Sequence, residues 1–129
     1  MIKAIDMVTL VVDDQDEAIK FYVEKLGFEL HQIEDYGDGG MWIEIAPKGS
    51  QTKITVKTPE SFDSEEATHR QALIGASPQI TYRVEDCNKV YHSLRDEGVP
   101  FDDEPSQKPW GISVTARDPS GNPVVFTEF

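Results

Sequence analysis

The stretch Val8-Thr9-Leu10-Val11-Val12-Asp13-Asp14 decides the fold, because it recurs in the second half of the chain as Ile80-Thr81-Tyr82-Arg83-Val84-Glu85-Asp86. Both stretches are rich in β-branched and apolar residues and end in two acidic residues. That pattern predicts a strand followed by the start of a helix. A repeat at this scale indicates that one structural unit occurs twice in the chain.

The same order of elements is predicted after each copy of the repeat. In the first half, Asp14 and Glu17 have the spacing of a helix capping box, and Gly27 marks the predicted end of the helix. Strands are predicted at 28–33, 41–46 and 53–57, with the turn Tyr36-Gly37-Asp38-Gly39-Gly40 between the first two. In the second half, a helix is predicted over 87–97 and strands at 99–102, 112–116 and 124–129. Each half therefore has the order β-α-β-β-β.

The residues between the two halves form an acidic, turn-rich connector, in which a short helix is predicted over 67–74. We therefore predict one α+β domain over residues 1–129. Its first module covers about 1–58, the linker about 59–77 and the second module about 78–129.

Composition narrows the possible partners. The 129-residue chain carries 12 Lys and Arg against 24 Asp and Glu, so its net charge is −12, which argues against a nucleic-acid ligand. No apolar run approaches the roughly 20 residues of a membrane-spanning helix, so no membrane partner is expected. The N-terminus shows no secretory signal, and Cys87 is the only cysteine, which together favour a cytoplasmic location.

Several motifs carry a resemblance to a known family. They are the acidic pair after the opening strand, Phe21-Tyr22 with Leu26-Gly27-Phe28, Pro109-Trp110-Gly111, and Asp118-Pro119-Ser120-Gly121-Asn122. In this combination the chain resembles the vicinal oxygen chelate superfamily, which contains glyoxalases, extradiol dioxygenases and bleomycin-resistance proteins. The resemblance implies that the two modules form a curved mixed sheet with a concave ligand cleft, and that the protein is a homodimer.

Strand alternation predicts which side chains face that cleft. Val8, Leu10 and Val12 are the more apolar set and are predicted to pack under the helix, which leaves Met7, Thr9 and Val11 on the cleft side. The same reasoning, with two aromatic residues that can stack on a ligand, gives the candidate ligand-binding residues Thr9, Trp42, Glu44, Gln79, Thr81, Arg83 and Trp110.

The resemblance also implies where a divalent metal would bind. Carried over by motif, the four ligand positions are Met7, Glu44, Gln79 and Val125. Only Glu44 is a good ligand for a hard metal, because a thioether is soft and valine offers no donor atom. Glu128 does not replace Val125, since alternation places it on the opposite side of the strand. We therefore expect neither a catalytic metal nor a cofactor.

Other candidate residues have simpler explanations. The three histidines, His31, His69 and His92, show no ligand spacing and are expected at the surface. Cys87 is near a helix start, which favours a thiolate, but no histidine accompanies it. Glu44 and Arg83 either serve the site or pair with each other, since unpaired charges on a partly buried face are costly. The prolines and glycine within 101–111 suggest a lid over the cleft.

Three functions remain open from the sequence. The first is a binding protein, similar to the bleomycin-resistance group, that sequesters a cationic or aromatic small molecule without a metal. The second is a glyoxalase-like lyase or isomerase with Glu44 as catalytic general base and Arg83 supplying positive charge. The third is a dimerisation module or partner subunit.

Overall fold

A computed structural model describes residues 1–35, 37 and 40–129 of the chain. Within it the chain divides into two compact units, Met1–Ile74 and Gly75–Phe129. No helix among the described residues has the length and apolar character that crossing a membrane requires. The turn predicted at residues 36–40 lies largely outside the described residues, since 36, 38 and 39 are not among them.

The first unit is a four-stranded mixed sheet with the strand order β1-β4-β3-β2. Its strands are β1 (Met7–Val11), β2 (Glu29–Asp35), β3 (Met41–Ala46) and β4 (Lys53–Lys57). Its helices are α1 (Gln15–Ile19), continued by a π-helical segment (Lys20–Lys25), then a 3-10 turn (Pro59–Ser61) and α2 (Ser64–Gln71). Strands β2 and β3 pair antiparallel, which confirms the predicted hairpin.

The second unit repeats this topology with the strand order β5-β8-β7-β6. Its elements are β5 (Ile80–Arg83), α3 (Cys87–Asp96), β6 (Ser106–Lys108), β7 (Gly111–Arg117) and β8 (Pro123–Glu128). In both units the first strand pairs parallel with the last, and the last pairs antiparallel with the one before it. The α+β class and the repeated order of elements are confirmed.

The helix signals in the two copies act alike. Asp14 accepts a hydrogen bond from the backbone of Glu17 at 3.1 Å, and Asp86 accepts one from the backbone of Lys89 at 3.0 Å. Each carboxylate satisfies a backbone donor that the first helical turn leaves free. Gly27 ends the first helix with φ +79°, a conformation that glycine adopts without strain.

Alternation predicts most of the buried face correctly. Leu10, Ile43 and Ile45 are buried as expected. Val8 was expected to pack but is 38% exposed, because it lies near the start of an edge strand. Val11, predicted on the same side as Thr9, is buried and lies opposite Lys57 in the register of β1 and β4.

Two predicted elements are wrong in position. Within 99–102, pairing with β7 is limited to one bridge, Phe101 to Ala116. It stops there because the next residue, Asp103, accepts the Thr115 backbone N–H with its side chain at 3.0 Å, where a continuing strand would supply a carbonyl. Pairing to β7 resumes only at β6. The helix predicted over 67–74 begins earlier, because Asp63 caps it by accepting the Glu66 N–H at 3.0 Å.

Candidate functional site

The Pro109-Trp110 turn places an aromatic ring at the tip of a tight hairpin. This turn joins β6 to β7, and the residues on either side of the turn, Lys108 and Gly111, are paired across the two strands. Trp110 is 59% exposed, so its ring is accessible from solvent.

A hollow of about 700 Å³ lies beside this tip, within the size range of small-molecule sites. Its sheet floor comes from β5, β7 and β8, where Thr81, Val125 and Thr115 stand in register across the three strands. Gln79 extends this surface along the chain from Thr81. The floor therefore presents the hydroxyls of two threonines and one glutamine amide around a single apolar side chain, Val125.

Charged and aromatic side chains form the rim of the hollow. Asp103, Lys108 and Trp110 come from the segment before β7, and Phe129 follows β8. The guanidinium of Arg83 lies over the Phe129 ring, 4.4 Å from its centroid, a cation–π contact. Arg83, predicted as a ligand-binding residue, is therefore not part of the lining but contacts it from outside, through Phe129.

The polar face of the first sheet is organised around Glu44. Register places Thr9, Thr55 and Glu44 in one row across β1, β4 and β3, and the hydroxyls of Thr55 and Thr9 are 3.1 Å apart. Glu44 is only 7% exposed. Its Oε2 accepts the Trp42 indole N–H at 2.6 Å, and its Oε1 lies 3.5 Å from the Lys53 ammonium. Both carboxylate oxygens thus have partners within the same sheet.

A stack of alternating rings and cations continues this face. The Lys57 ammonium lies 4.8 Å from the centroid of Trp42 and 5.2 Å from that of Phe62. The guanidinium of Arg70, a residue of α2, lies 4.8 Å from the centroid of the Phe62 ring and pairs with the Glu66 carboxylate at 2.7 Å. These contacts hold the segment that follows β4 against the sheet.

The structure divides the residues proposed from the sequence between two groups. Thr9, Trp42 and Glu44 belong to the first sheet, whereas Gln79, Thr81 and Trp110 line the hollow of the second. Sequence analysis missed five lining residues, Asp103, Lys108, Ser113, Thr115 and Phe129. Alternation along β7 would have found Ser113 and Thr115, but Lys108 lies on a strand that was not predicted.

The four positions that the resemblance assigns to a metal do not supply a suitable set of ligands. Val125 has no donor atom, Met7 offers a soft thioether, and the Glu44 carboxylate is already engaged by Trp42 and Lys53. Within the described part of the chain, no three His, Cys, Asp or Glu side chains are grouped so that they could hold an ion. The donor chemistry of these positions therefore does not fit a divalent metal.

The segment that was suggested as a lid is anchored at its beginning. Asp102 pairs with Arg117 at 2.6 Å, and the Asp102 backbone N–H donates to the carbonyl of Thr115 at 2.9 Å. The Arg117 guanidinium holds the pKa of Asp102 below its usual value, mainly through the hydrogen bond between them. These contacts fix the start of the rim on β7.

Cys87 is fully buried and faces the underside of the second sheet. Its Sγ lies 3.7 Å from the Phe126 carbonyl, and its backbone N–H donates to Glu128 at 2.9 Å. Burial, with a smaller contribution from the Glu128 charge, raises the pKa of the thiol. This environment is that of a structural cysteine and not of a nucleophile.

We expect Cys87 to react slowly with thiol reagents in the native protein. Because the thiol is shielded and its thiolate disfavoured, alkylation at neutral pH should be at least ~100-fold slower than in urea-unfolded protein. The measurement is the rate of iodoacetamide labelling by mass spectrometry. Comparable rates in the native and unfolded proteins would show that the thiol is accessible.

Comparisons with known proteins agree with this architecture. The model of the family described as Glyoxalase/Bleomycin resistance protein/Dioxygenase superfamily matches residues 4–126. The uncharacterized protein YetH of Bacillus subtilis (strain 168) is 32% identical over 132 aligned residues, which cover 99% of this chain and 100% of YetH.

Two solved structures are similar over nearly the whole chain. The crystal structure of UcmS2 has a TM-score of 0.84 and 32% identity and covers 98% of each chain. That of TnmS3, an antibiotic binding protein from Streptomyces sp. CB03234, has a TM-score of 0.81 and 28% identity, covering 98% of this chain and 96% of TnmS3.

Proposed function

The chain belongs to the Glyoxalase/Bleomycin resistance protein/Dioxygenase superfamily, and we propose that it is a binding protein that sequesters a small aromatic molecule without a catalytic metal. One observation carries the proposal: an exposed tryptophan stands at the rim of a hollow of about 700 Å³ whose floor is polar. A flat ring to stack on, beside hydroxyl and amide groups, is a common arrangement in small-molecule sites.

The similarity to an antibiotic binding protein supports a binding role. TnmS3 shares the topology over nearly its full length. We therefore include antibiotics with aromatic rings among the ligands to be tested. Sequestration requires only affinity, so the poor metal-ligand chemistry of Met7 and Val125 is no obstacle to it.

The alternative function, a lyase or isomerase with Glu44 as general base, has less support. A general base must present a free oxygen lone pair to the substrate proton. Glu44 instead engages Trp42 through one oxygen and Lys53 through the other. Because the side chain is also only 7% exposed, a substrate proton has little access to the remaining lone pair of either oxygen.

We also propose that the protein is a homodimer. Apolar side chains are exposed before β1 and on both edge strands of the first sheet, β1 and β2, and a second copy that covered one of these edges would remove apolar surface from water. The exposed side chains are Ile2, Ile5, Val8, Leu30 and Ile33. Light scattering coupled to size-exclusion chromatography should give twice the 14.5 kDa chain mass, and a monomer at micromolar concentration would contradict this part of the proposal.

A thermal-shift screen tests the binding function. We expect some aromatic compounds in a library of metabolites and antibiotics to raise the melting temperature, because a ligand of the native state stabilises it by mass action. Trp110→Ala should abolish these shifts, whereas Trp42→Phe, which changes the other tryptophan, should retain them. The proposal fails if no compound acts, or if Trp110→Ala responds like the wild type.

A further inference from the structure

We infer that the hollow of the second unit selects aromatic acids, molecules in which a planar ring bears a carboxylate or phenolate. This inference rests on the proposed binding function and adds the charge of the ligand. It reverses the expectation of a cationic ligand that the net charge of −12 suggests.

The hydrogen-bonding groups at the rim are mainly donors. Lys108 and the indole N–H of Trp110 can only donate, and neither has a side-chain partner among the residues that the structure describes. The other indole N–H, that of Trp42, is bound to a carboxylate at 2.6 Å. The Trp110 indole N–H therefore lacks the kind of acceptor that Glu44 provides for the Trp42 indole N–H.

Acceptors at the rim are fewer. Asp103 is the carboxylate of the lining, and its Oδ1 already accepts the backbone N–H of Thr115 at 3.0 Å. The Ser113 hydroxyl is paired with that of Thr127 at 3.1 Å. A ligand rich in acceptor atoms would satisfy Lys108 and Trp110, whereas a ligand rich in donors would leave both unpaired.

Local charge favours the same ligand. Lys108 lines the hollow, and Arg83 lies against its Phe129 wall with no carboxylate partner in the described ranges. The lining itself carries one cation, Lys108, and one carboxylate side chain, Asp103, and Arg83 adds a second cation beside the Phe129 wall. Salt screens exposed charges beyond about 8 Å at physiological ionic strength, so a ligand group in direct contact with the Lys108 ammonium experiences mainly that charge.

Three probes that differ only in their polar group test the inference: 2-naphthoate, 2-naphthamide and 2-naphthylmethylammonium. Their dissociation constants are measured by calorimetry with the wild-type protein. We expect the carboxylate to bind about tenfold more tightly than the amide, because charge-assisted hydrogen bonds are stronger than neutral ones. The ammonium compound should bind most weakly.

Two lysine variants locate the effect. Lys108→Gln should reduce the preference for the carboxylate over the amide to less than about twofold, since it removes the charge and keeps a hydrogen-bond donor. Lys48→Gln, which changes an exposed lysine in the turn after β3, should keep the full preference.

Trp110→Phe tests the indole N–H, because it keeps an aromatic ring and removes the donor. It should weaken the binding of the carboxylate probe and leave ring stacking largely intact.

The possible outcomes separate the inference from the function on which it rests. If the amide or the ammonium compound binds as tightly as the carboxylate, the hollow is a binding site but not one for acids. The same conclusion follows if Lys108→Gln leaves the preference unchanged. If none of the three binds and the thermal-shift screen also fails, the binding function itself is wrong.

Discussion

Replacing Gly111 with alanine is expected to lower the free energy of unfolding by about 4 kcal/mol, a large part of the roughly 5–15 kcal/mol that stabilises a typical domain. Gly111 has φ +141°, a backbone conformation that residues with a side chain rarely adopt. A Cβ at this position would overlap the backbone oxygen of Glu128 on the neighbouring strand β8. Neither obstacle can be relieved without separating β7 from β8.

Gly98 provides the matched control for this variant. It also has a positive φ, +88°, but a Cβ there would meet nothing within 4 Å. Gly98→Ala should therefore cost only the conformational penalty, about 1 kcal/mol. Urea denaturation followed by circular dichroism measures both variants, and equal losses would show that the close approach to Glu128 is unimportant. Because Gly111 follows Trp110, its loss should also remove ligand binding.

Replacing Asn122 with alanine is expected to cost about 3 kcal/mol. Asn122 is fully buried, its Oδ1 accepts the Gly75 N–H at 2.8 Å, and its Nδ2 donates to Asp118 at 3.3 Å. Alanine would leave a backbone donor and a buried carboxylate each short of a partner. Each such loss costs about 1–3 kcal/mol.

Asn88 is the corresponding control, because it lies exposed on α3 of the same unit. Asn88→Ala should change the free energy of unfolding by less than about 0.5 kcal/mol. Differential scanning calorimetry should place the melting temperature of Asn122→Ala roughly 10 °C below that of the wild type. A difference of only one or two degrees would mean that the turn at 118–122 does not depend on this amide.

Local signals in the sequence predicted the fold well. The acidic residues before each helix act as N-caps, and the glycines Gly27 and Gly98 end helices with positive φ. These features depend on neighbouring residues only. The strand predicted at 99–102 is reduced to one bridge, and the contact that ends its pairing, from the Thr115 N–H to the Asp103 carboxylate, joins residues that are distant in the sequence.

The candidate site was less accessible to sequence reasoning for the same reason. Alternation placed Gln79 and Thr81 on the polar face, and both line the hollow. It could not place Lys108, because β6 has three residues and shows no period of its own. The ion pair between Glu44 and Lys53 also depends on the pairing of β3 with β4. The alternation of residues along one strand does not reveal which strand is its neighbour.

The two tryptophan indole groups offer the most direct test of the binding site. In a ¹⁵N–¹H correlation spectrum each indole N–H gives one resonance, and millimolar 2-naphthoate can be titrated against both. We predict that the Trp110 resonance shifts and saturates, while that of Trp42, held by Glu44, stays near its starting position. A Trp110 resonance that does not move at saturating probe would contradict a ligand site beside this ring.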